Sequence, residues 1–365
     1  MTAALQPLLV GALRDPAGVT RLDDAQWDLL LRQAGAANLM ASLGHLLARH
    51  DLLDRVPACA REHLDWAGVL ARRHRQAVRW EVRLVKQALR ELGLPVLLLK
   101  GAAYSITGLP AGQGRLFSDI DILVPEARLA EAEAALMLAG WAGTHHDPYD
   151  QRYYREWMHE LPPMQHVRRE SLIDVHHAIL PKTAAARPDS ALLRAAAVPV
   201  DGEAGVRVLA PVDMVLHSAV HLFSDGEYNN GLRDLFDIHR LLEHFGTDAR
   251  FWAQLVPRAH QLELARPLFY ALRYAGMLLG TTVPAAATDA LRDTAPPAPL
   301  LALMDALFRR ALLPEHTSCG DWLSPVARFL LYIRGNWLRM PPVLLARHLL
   351  HKATLSLLKP RQEAA

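Results

Sequence analysis

The sequence has few cysteines, little net charge and no long uninterrupted apolar run. Its two cysteines, Cys59 and Cys319, lie far apart and match neither a CxxC nor a Cys/His zinc spacing. Neither a disulfide framework nor a structural zinc site is therefore indicated, and a reducing compartment is the simple interpretation. The formal net charge of +2 is too small to indicate a general nucleic-acid binder, so we expect no nucleic-acid partner.

The sequence also shows no signal that predicts a targeting segment or a membrane-spanning segment. The first residues, MTAALQPLLVGALRDP, lack the basic start and long apolar core of a secretion signal. No stretch of about 18 uncharged apolar residues occurs along the chain. With 51% hydrophobic and 21% charged residues, the composition is that of a folded globular protein. We expect a soluble, cytoplasmic protein.

The chain of 365 residues is long enough for two or three packed units, and the first is helical in pattern. From Leu22 to about Glu91, apolar residues recur at helical spacing, as in WDLLLRQAGAANLMASLGHLLARH. The pattern ends at Gly93-Leu94-Pro95, which is a helix-stop signal. We therefore place a helical N-terminal region at residues 1–92.

A mixed unit follows at residues 93–182. Short apolar runs at 96–99, 120–124 and 171–179 predict buried strands, and 125–140 predicts a helix that opens at a proline and closes at a glycine. Two crossover connections in so short a segment imply a small mixed sheet.

Beyond residue 182 the chain first loosens and then returns to helical periodicity. The stretch between Pro181 and Pro211 is rich in alanine and proline and contains a predicted β-turn at Asp201-Gly202. Helical spacing then persists to the end, so 183–365 is predicted to be a helical C-terminal domain. The predicted fold class is α+β, with a small mixed sheet flanked by helical regions.

Two aspartates in the second strand call for an explanation. Side chains alternate along a strand, so Asp119 and Asp121 point to one side while Ile120 and Ile122 point into the core. Their mutual repulsion would raise one pKa or disrupt the strand unless a cation lies between them, and Mg²⁺ prefers such oxygen ligands. The alternative is a solvated pair at the edge of the sheet.

Neighbouring residues favour the metal interpretation. Lys100-Gly101 follows a strand and opens a predicted helix, where free backbone N–H groups attract a phosphate. Arg115 and Ser118 add a fixed charge and a hydroxyl donor just before the pair. Asp174 brings a third carboxylate from another predicted strand. Three carboxylates facing a phosphate-binding turn are what two-metal phosphoryl or nucleotidyl transfer requires.

These residues give the sequence a family resemblance. It resembles the nucleotidyltransferase superfamily related to DNA polymerase beta, and within it a poorly characterised bacterial branch with Leu-Lys-Gly, Asp-Ile-Asp-Leu-Leu-Val and a later acidic-x-His motif. The resemblance covers about residues 95–180 and extends more loosely to His217, His221 and 231–242. The matching segments are Lys100-Gly101, Arg115, Ser118–Val124 and Ile173–His176.

The resemblance implies both an activity and a cofactor. Residues 93–182 would form a nucleotidyltransferase core that moves a nucleoside monophosphate from a nucleoside triphosphate to a hydroxyl or phosphate acceptor and releases pyrophosphate. Two Mg²⁺ ions, for which Mn²⁺ could substitute, would be the cofactors. The partners would be the nucleotide and an acceptor that the sequence does not identify.

The same resemblance assigns residue roles. Asp119 and Asp121 would bind both metal ions, and Asp174 would complete the set as metal ligand and proton acceptor. Lys100, Gly101 and Ser118 would lie along the triphosphate. His176, on the same strand face as Asp174, would contact a phosphate or the acceptor, or else make a structural hydrogen bond.

Two alternatives remain open. The superfamily usually has Gly-Ser or Gly-Gly where this chain has Gly101-Ala102, and the interval from Gly101 to Asp119 is long. Both departures would suit a catalytically degenerate nucleotide-binding or partner-binding scaffold. A metal phosphohydrolase based on histidines is the second alternative. It would use His217 and His221, four apart on a predicted helix, with His176 or His239. Otherwise His217 and His221 line the cleft between the sheet and the helical unit, or are core histidines with hydrogen-bonded rings.

Two C-terminal segments carry further hypotheses. In GLRDLFDIHRLLEHF, Arg233 and Asp237 are spaced to pair on a salt-bridged surface, or the helix presents an acceptor-binding face. From Trp322 to Gln362 there is no acidic residue, which predicts a basic amphipathic segment packed on the domain or in peripheral contact with an anionic membrane. Its basic residues are Arg328, Arg334, Arg339, Arg347, Lys352, Lys359 and Arg361.

Overall fold

The structure is a computed structural model that describes residues 7–145 and 147–341. Helices dominate it, and a single mixed sheet of seven strands lies between helical flanks. The predicted α+β class, with a small mixed sheet and helical N-terminal and C-terminal regions, is confirmed. No described helix is both long and apolar enough to cross a membrane.

Four helices form the N-terminal region, as predicted. Helix α2 begins with a capping box, because Asp23 accepts a hydrogen bond from the Gln26 backbone N–H and the Gln26 side chain accepts one from the Asp23 N–H. The region ends where Gly93 adopts a left-handed φ of 65°, which a glycine tolerates without strain. The helices are α1 (Leu8–Arg14), α2 (Asp24–Ala36), α3 (Met40–Arg49) and α4 (Ala58–Ala88).

The middle of the chain alternates strands and helices. All three predicted strands are present within one residue of their predicted starts, and the predicted helix after Pro125 is present. Strands β3 and β4 were not predicted. The elements are β1 (Val96–Leu98), α5 (Lys100–Thr107), β2 (Asp119–Leu123), α6 (Leu129–Leu138), β3 (Trp141–Gly143), α7 (Pro148–Arg152), β4 (Met164–His166) and β5 (Leu172–His176).

The loosened stretch after residue 182 contributes to the sheet. Helix α8 (Ser190–Ala196) is followed by a hairpin of β6 (Val198–Pro199) and β7 (Val206–Val208), with Gly202 at φ 74° in the predicted turn. Strand β7 pairs parallel with β1. The predicted boundary near residue 182 therefore falls between strands of one sheet, and the division into domains stays a prediction.

From residue 211 onward the described residues are mainly helical. Helix α9 packs against α5, α10, α11, α12 and α15. The helices are α9 (Pro211–Ser224), α10 (Gly231–Phe245), α11 (Ala249–Gln261), α12 (Ala265–Tyr274), α13 (Ala285–Ala290), α14 (Ala298–Ala311) and α15 (Ser324–Arg339).

The strand order is β3-β4-β5-β2-β1-β7-β6. Strand β2 is central, parallel to β5 and antiparallel to β1. Every residue of β1 and four of the five residues of β2 are buried, as expected for strands covered on both faces. The register of β2 on β5 sets Asp121 directly beside Asp174.

Helix α15 contains the described part of the predicted basic segment. Arg328 pairs with Glu315, Arg334 donates to the Phe223 carbonyl oxygen, and Arg339 pairs with Asp225, so these arginines have partners within the fold. The exposed side of α15 carries apolar residues instead, among them Phe329 and Trp337. The other basic residues of the prediction, Arg347, Lys352, Lys359 and Arg361, lie outside the described residues.

Two helical glycines give a matched test of how α15 docks. At Gly335 an added Cβ would lie 2.5 Å from the Gly226 Cα, whereas at Gly11 in α1 it would meet nothing within 4 Å. We expect Gly335→Ala to lower the free energy of unfolding by about 1–3 kcal/mol because of backbone overpacking. We expect Gly11→Ala to raise it by up to about 1 kcal/mol through helix propensity alone. Urea denaturation of both variants measures this, and equal shifts would contradict the described contact.

Candidate active site

Three carboxylates meet where β2 and β5 run side by side. Asp119 and Asp121 lie on β2, and Asp174 lies opposite Asp121 on β5. One oxygen of each carboxylate lies within 4.8 Å of the others. The strand alternation inferred from the sequence thus brings together the three residues proposed as metal ligands.

Asp121 is the most engaged of the three. His176 Nε2 lies 2.9 Å from its Oδ1, and the Lys100 ammonium lies 3.9 Å from its Oδ2. Burial opposes its ionisation, but Lys100 and the hydrogen bond from His176 together hold the pKa of Asp121 below its usual range. Asp121 is therefore held as an ionised carboxylate.

Asp174 is the least satisfied of the three. Its Oδ1 is buried and has no hydrogen-bond partner within the described residues. Burial, and then the charges of Asp121 and Glu160, raise the pKa of Asp174 to about 8. A buried carboxylate oxygen without a donor is costly, and a divalent cation would satisfy it. Asp119, Asp121 and Asp174 therefore fit Mg²⁺ by their donor type and by this unmet oxygen.

Lys100 opens helix α5 beside the carboxylates. Its φ of +41° is left-handed, which costs a residue with a Cβ about 1–2 kcal/mol. The preceding Leu99 donates its N–H to the Asp121 carbonyl oxygen, and this bond ties the start of the helix to β2. Backbone strain of this kind concentrates at functional sites, where the surrounding structure enforces it.

Gly101 permits a close approach of other side chains. A Cβ at this position would lie 2.2 Å from Arg115 Nη1 and 2.8 Å from Phe117 Cδ1. Only glycine fits without displacing these two residues. Gly101 thus keeps the start of α5 open to the segment that leads into β2.

Arg115 is 8% exposed and is bound to carboxylates of helix α10. Its Nε donates to Asp237 Oδ2 at 2.6 Å, and its Nη2 lies 3.8 Å from Asp234. The expected pairing of Arg233 with Asp237 is wrong, because Arg233 instead donates to its neighbour Asp234 at 2.8 Å. Asp237 is buried, so this side of α10 is part of the interior rather than a salt-bridged surface.

A cavity of about 320 Å³ lies over the strand ends. Ser118 also lines it and donates a hydrogen bond to Asp119 at 3.3 Å. Asp174 and His176 lie behind this cavity, joined to it through Asp121. Six of the eight predicted site residues line it: Lys100, Gly101, Arg115, Ser118, Asp119 and Asp121.

The opposite wall of the cavity was predicted only in part, since an acceptor-binding face was one of the two hypotheses for helix α10. It comes from α9, α10 and the loop between them, whose sequence SDGEYNNG is rich in the Asp, Asn and Gly typical of loops that carry binding residues. The composition of this loop was the sequence feature that could have indicated its place in the cavity wall. The side chains of this wall are Ser218, His221, Asp225, Glu227, Asn229, Asn230, Arg233, Asp234 and Asp237.

His217 and His221 lie beside the carboxylates without forming a metal site of their own. Burial, and then the charge of Lys100, lower the pKa of both rings, so they are neutral. His221 lines the cavity and lies 3.9 Å from Asp225. Neither belongs to a group of three closely spaced ligands within residues 7–145 and 147–341.

His176 connects the carboxylates to a residue that sequence reasoning missed. Its Nε2 faces Asp121 and its Nδ1 lies 3.1 Å from Glu160 Oε2. The sequence around His159 and Glu160 has neither helical nor strand periodicity, so it did not indicate their position. Their backbone pairs with the end of β5, and this pairing places both side chains beside His176. Both nitrogens of His176 are thus occupied by carboxylates, as in the structural alternative for this residue.

Comparison with known sequences gives a family match that spans the sheet and the cavity. Neither the curated proteins nor the solved structures contain a match to the chain. A family described as "Uncharacterised nucleotidyltransferase" matches residues 23–280, which is more than half of the 365 residues and includes the whole sheet and the cavity. The chain therefore belongs to this family of uncharacterised nucleotidyltransferases.

Proposed function

We propose that the protein is a Mg²⁺-dependent nucleotidyltransferase that moves a nucleoside monophosphate from a nucleoside triphosphate to a hydroxyl or phosphate acceptor. The observation that carries the proposal is the convergence of Asp119, Asp121 and Asp174 beside a cavity that the first two line, with one Asp174 oxygen buried and without a partner among the described residues. Three carboxylates of this kind bind two divalent ions in enzymes of phosphoryl and nucleotidyl transfer.

The reaction has a defined balance. The acceptor oxygen bonds to the α-phosphorus, the bond from that phosphorus to the bridging oxygen of the β-phosphate breaks, and pyrophosphate leaves. Asp174 accepts the proton when the acceptor is a hydroxyl. Asp119, Asp121 and Asp174 would hold the magnesium, which would supply polarisation of the α-phosphate and neutralise the charge that develops there.

The chain positions the triphosphate with residues at the start of α5. Lys100 supplies a positive charge, and the first backbone N–H groups of the helix point toward an anion at its N-terminus. Ser118 adds a hydroxyl on the other side of the cavity floor. The acceptor would bind against the wall of α10 and the preceding loop, where Asn229 and Asn230 offer amide hydrogen bonds.

A catalytically degenerate scaffold of the same fold is the rival proposal, and the side chain at position 102 bears on it. Ala102 is 1% exposed and is not part of the cavity lining. A serine hydroxyl at this position would be buried rather than available to a phosphate, so its absence removes no contact in this structure. No observation favours a phosphohydrolase built on His217 and His221.

The first prediction concerns the aspartates. We expect wild-type protein to bind a non-hydrolysable nucleoside triphosphate only with Mg²⁺, and Asp119→Asn to weaken that binding at least about tenfold because one metal ligand is lost. Asp201→Asn, in the exposed hairpin turn, is the matched control and should bind as the wild type does. Calorimetric titration measures both. Mg²⁺-independent binding, or equal binding by Asp119→Asn, would support the scaffold instead.

The second prediction separates the charge of Lys100 from its strained backbone. Lys100→Ala and Lys100→Gly both remove the ammonium, so each should weaken nucleotide binding about tenfold through the loss of one charged phosphate contact. The glycine variant should be more stable than the alanine variant by about 1–2 kcal/mol, because only glycine relaxes at φ +41°.

Lys182→Ala is the control for that pair, because Lys182 forms an ion pair on the surface with Glu126. It should leave nucleotide affinity unchanged. Thermal unfolding and nucleotide titration of the three variants give the two readouts independently. Unchanged affinity in both Lys100 variants would remove Lys100 from the phosphate site.

A further inference from the structure

A second cluster of metal-ligating side chains lies behind the three aspartates. A ring nitrogen of His159, a ring nitrogen of His176 and a carboxylate oxygen of Glu160 lie within 4.8 Å of one another. His176 Nδ1 and Glu160 Oε2 are 3.1 Å apart. Together with the aspartates, this is one of two such groups within the part of the chain that the structure describes.

The backbone fixes the cluster in place. Glu160 forms a β-bridge with His176, and His177 donates its N–H to the His159 carbonyl oxygen at 2.8 Å. Leu161 donates to the Val175 carbonyl oxygen on the same strand. The segment 159–161 is therefore tied to the end of β5 by one β-bridge and by main-chain hydrogen bonds, which hold the three side chains in place.

One of the three groups lacks a partner within the described part of the chain. His159 Nδ1 is buried without a hydrogen-bond partner among the described residues. Buried polar groups of this kind usually have partners.

A proton and a cation satisfy this cluster to different extents. A proton shared by His176 and Glu160 satisfies those two residues and leaves His159 unchanged. A divalent cation is a partner for all three groups at once. The two histidines and one carboxylate also match a transition ion better than Mg²⁺, because imidazole nitrogen suits Zn²⁺ and its neighbours whereas Mg²⁺ prefers oxygen ligands.

We propose that His159, Glu160 and His176 form a second metal site, specific for a transition ion of the Zn²⁺ class and separate from the magnesium site of the three aspartates. The site supplies three protein ligands and leaves a further position for water. It does not depend on the proposed nucleotidyl transfer, since the ligands are defined by their own geometry.

The ion would connect the two sites through one histidine. His176 would bind it through Nδ1, the nitrogen beside Glu160, while its Nε2–H donates to Asp121. A metal-bound histidine that donates its other N–H to a carboxylate is a common arrangement, and the carboxylate fixes the ring orientation. Here the same bond would also fix Asp121, so the second site would position a ligand of the first.

Cobalt titration of the metal-free full-length protein tests this site. Co²⁺ bound by nitrogen ligands at low coordination number is followed by its visible absorption, in the presence of excess Mg²⁺ so that the aspartates are occupied. We expect one Co²⁺ per chain in the wild type and displacement by Zn²⁺. His159→Gln and Glu160→Gln should each weaken Co²⁺ binding by at least about tenfold, because each removes a ligand.

Two controls make the assignment specific. Asp119→Asn should retain the cobalt signal while losing Mg²⁺-dependent nucleotide binding, because it removes a ligand of the other site. His177→Gln alters the next residue, whose Nδ1 faces Glu126 at 3.9 Å, and should bind Co²⁺ as the wild type does. Circular dichroism confirms that each variant is folded.

The proposal fails if the folded wild type gives no stoichiometric Co²⁺ spectrum. It also fails if Asp119→Asn abolishes that spectrum while His159→Gln retains it. The first result would leave a protonated His176 shared by Glu160 and Asp121, and the second would assign the ion to the aspartates. Neither result would affect the magnesium-dependent nucleotide titration, so the two proposals are tested separately.

Discussion

The lateral register of β2 on β5 is the constraint on which the site depends. Because the strands are parallel and Asp121 is opposite Asp174, a third carboxylate is brought to a pair that is already repulsive. A shift of one residue would turn Asp174 to the other face and separate the group. The buried apolar neighbours Ile122 and Val175, also opposite each other, fix this register through the core. Apolar packing thus enforces an arrangement that electrostatics alone would oppose.

The buried ion pair between Arg115 and Asp237 plays the corresponding role for the cavity. It joins the segment before β2 to helix α10, 122 residues later in the chain. Breaking such a pair leaves an uncompensated buried charge, which costs about 3–5 kcal/mol. The C-terminal helices are therefore held over the strand ends, and the cavity is formed by two parts of the chain rather than by the sheet alone. This geometry explains why the family match continues well past the last strand.

The sequence predicts most features that belong to a single strand or helix. The apolar runs of β1, β2 and β5 are bounded by turn signals, and the two-residue spacing of Asp119 and Asp121 has one geometric consequence on a strand. The strands that escape prediction, such as Trp141–Gly143, have two or three residues and are too short to show alternation. Contacts between distant elements also escape it, as when Asp237 binds Arg115 in place of the nearby Arg233. A side-chain pair four residues apart on a helix contributes only a few tenths of a kcal/mol, so an ion pair with a buried partner is preferred to it.

The charges around the cavity explain why a metal is required for nucleotide binding in the proposed mechanism. Asp234 and Asp237 are offset by Arg115 and Arg233, and Asp225 by Arg339. Among the described cations that line the cavity, Lys100 is then the one beside the three clustered aspartates, of which Asp119 and Asp121 line the cavity. A triphosphate would add several negative charges at short range, where repulsion is only weakly screened. Divalent ions held by the aspartates would make this part of the site positive, so that Lys100 and the start of α5 could attract the triphosphate without repulsion from the carboxylates.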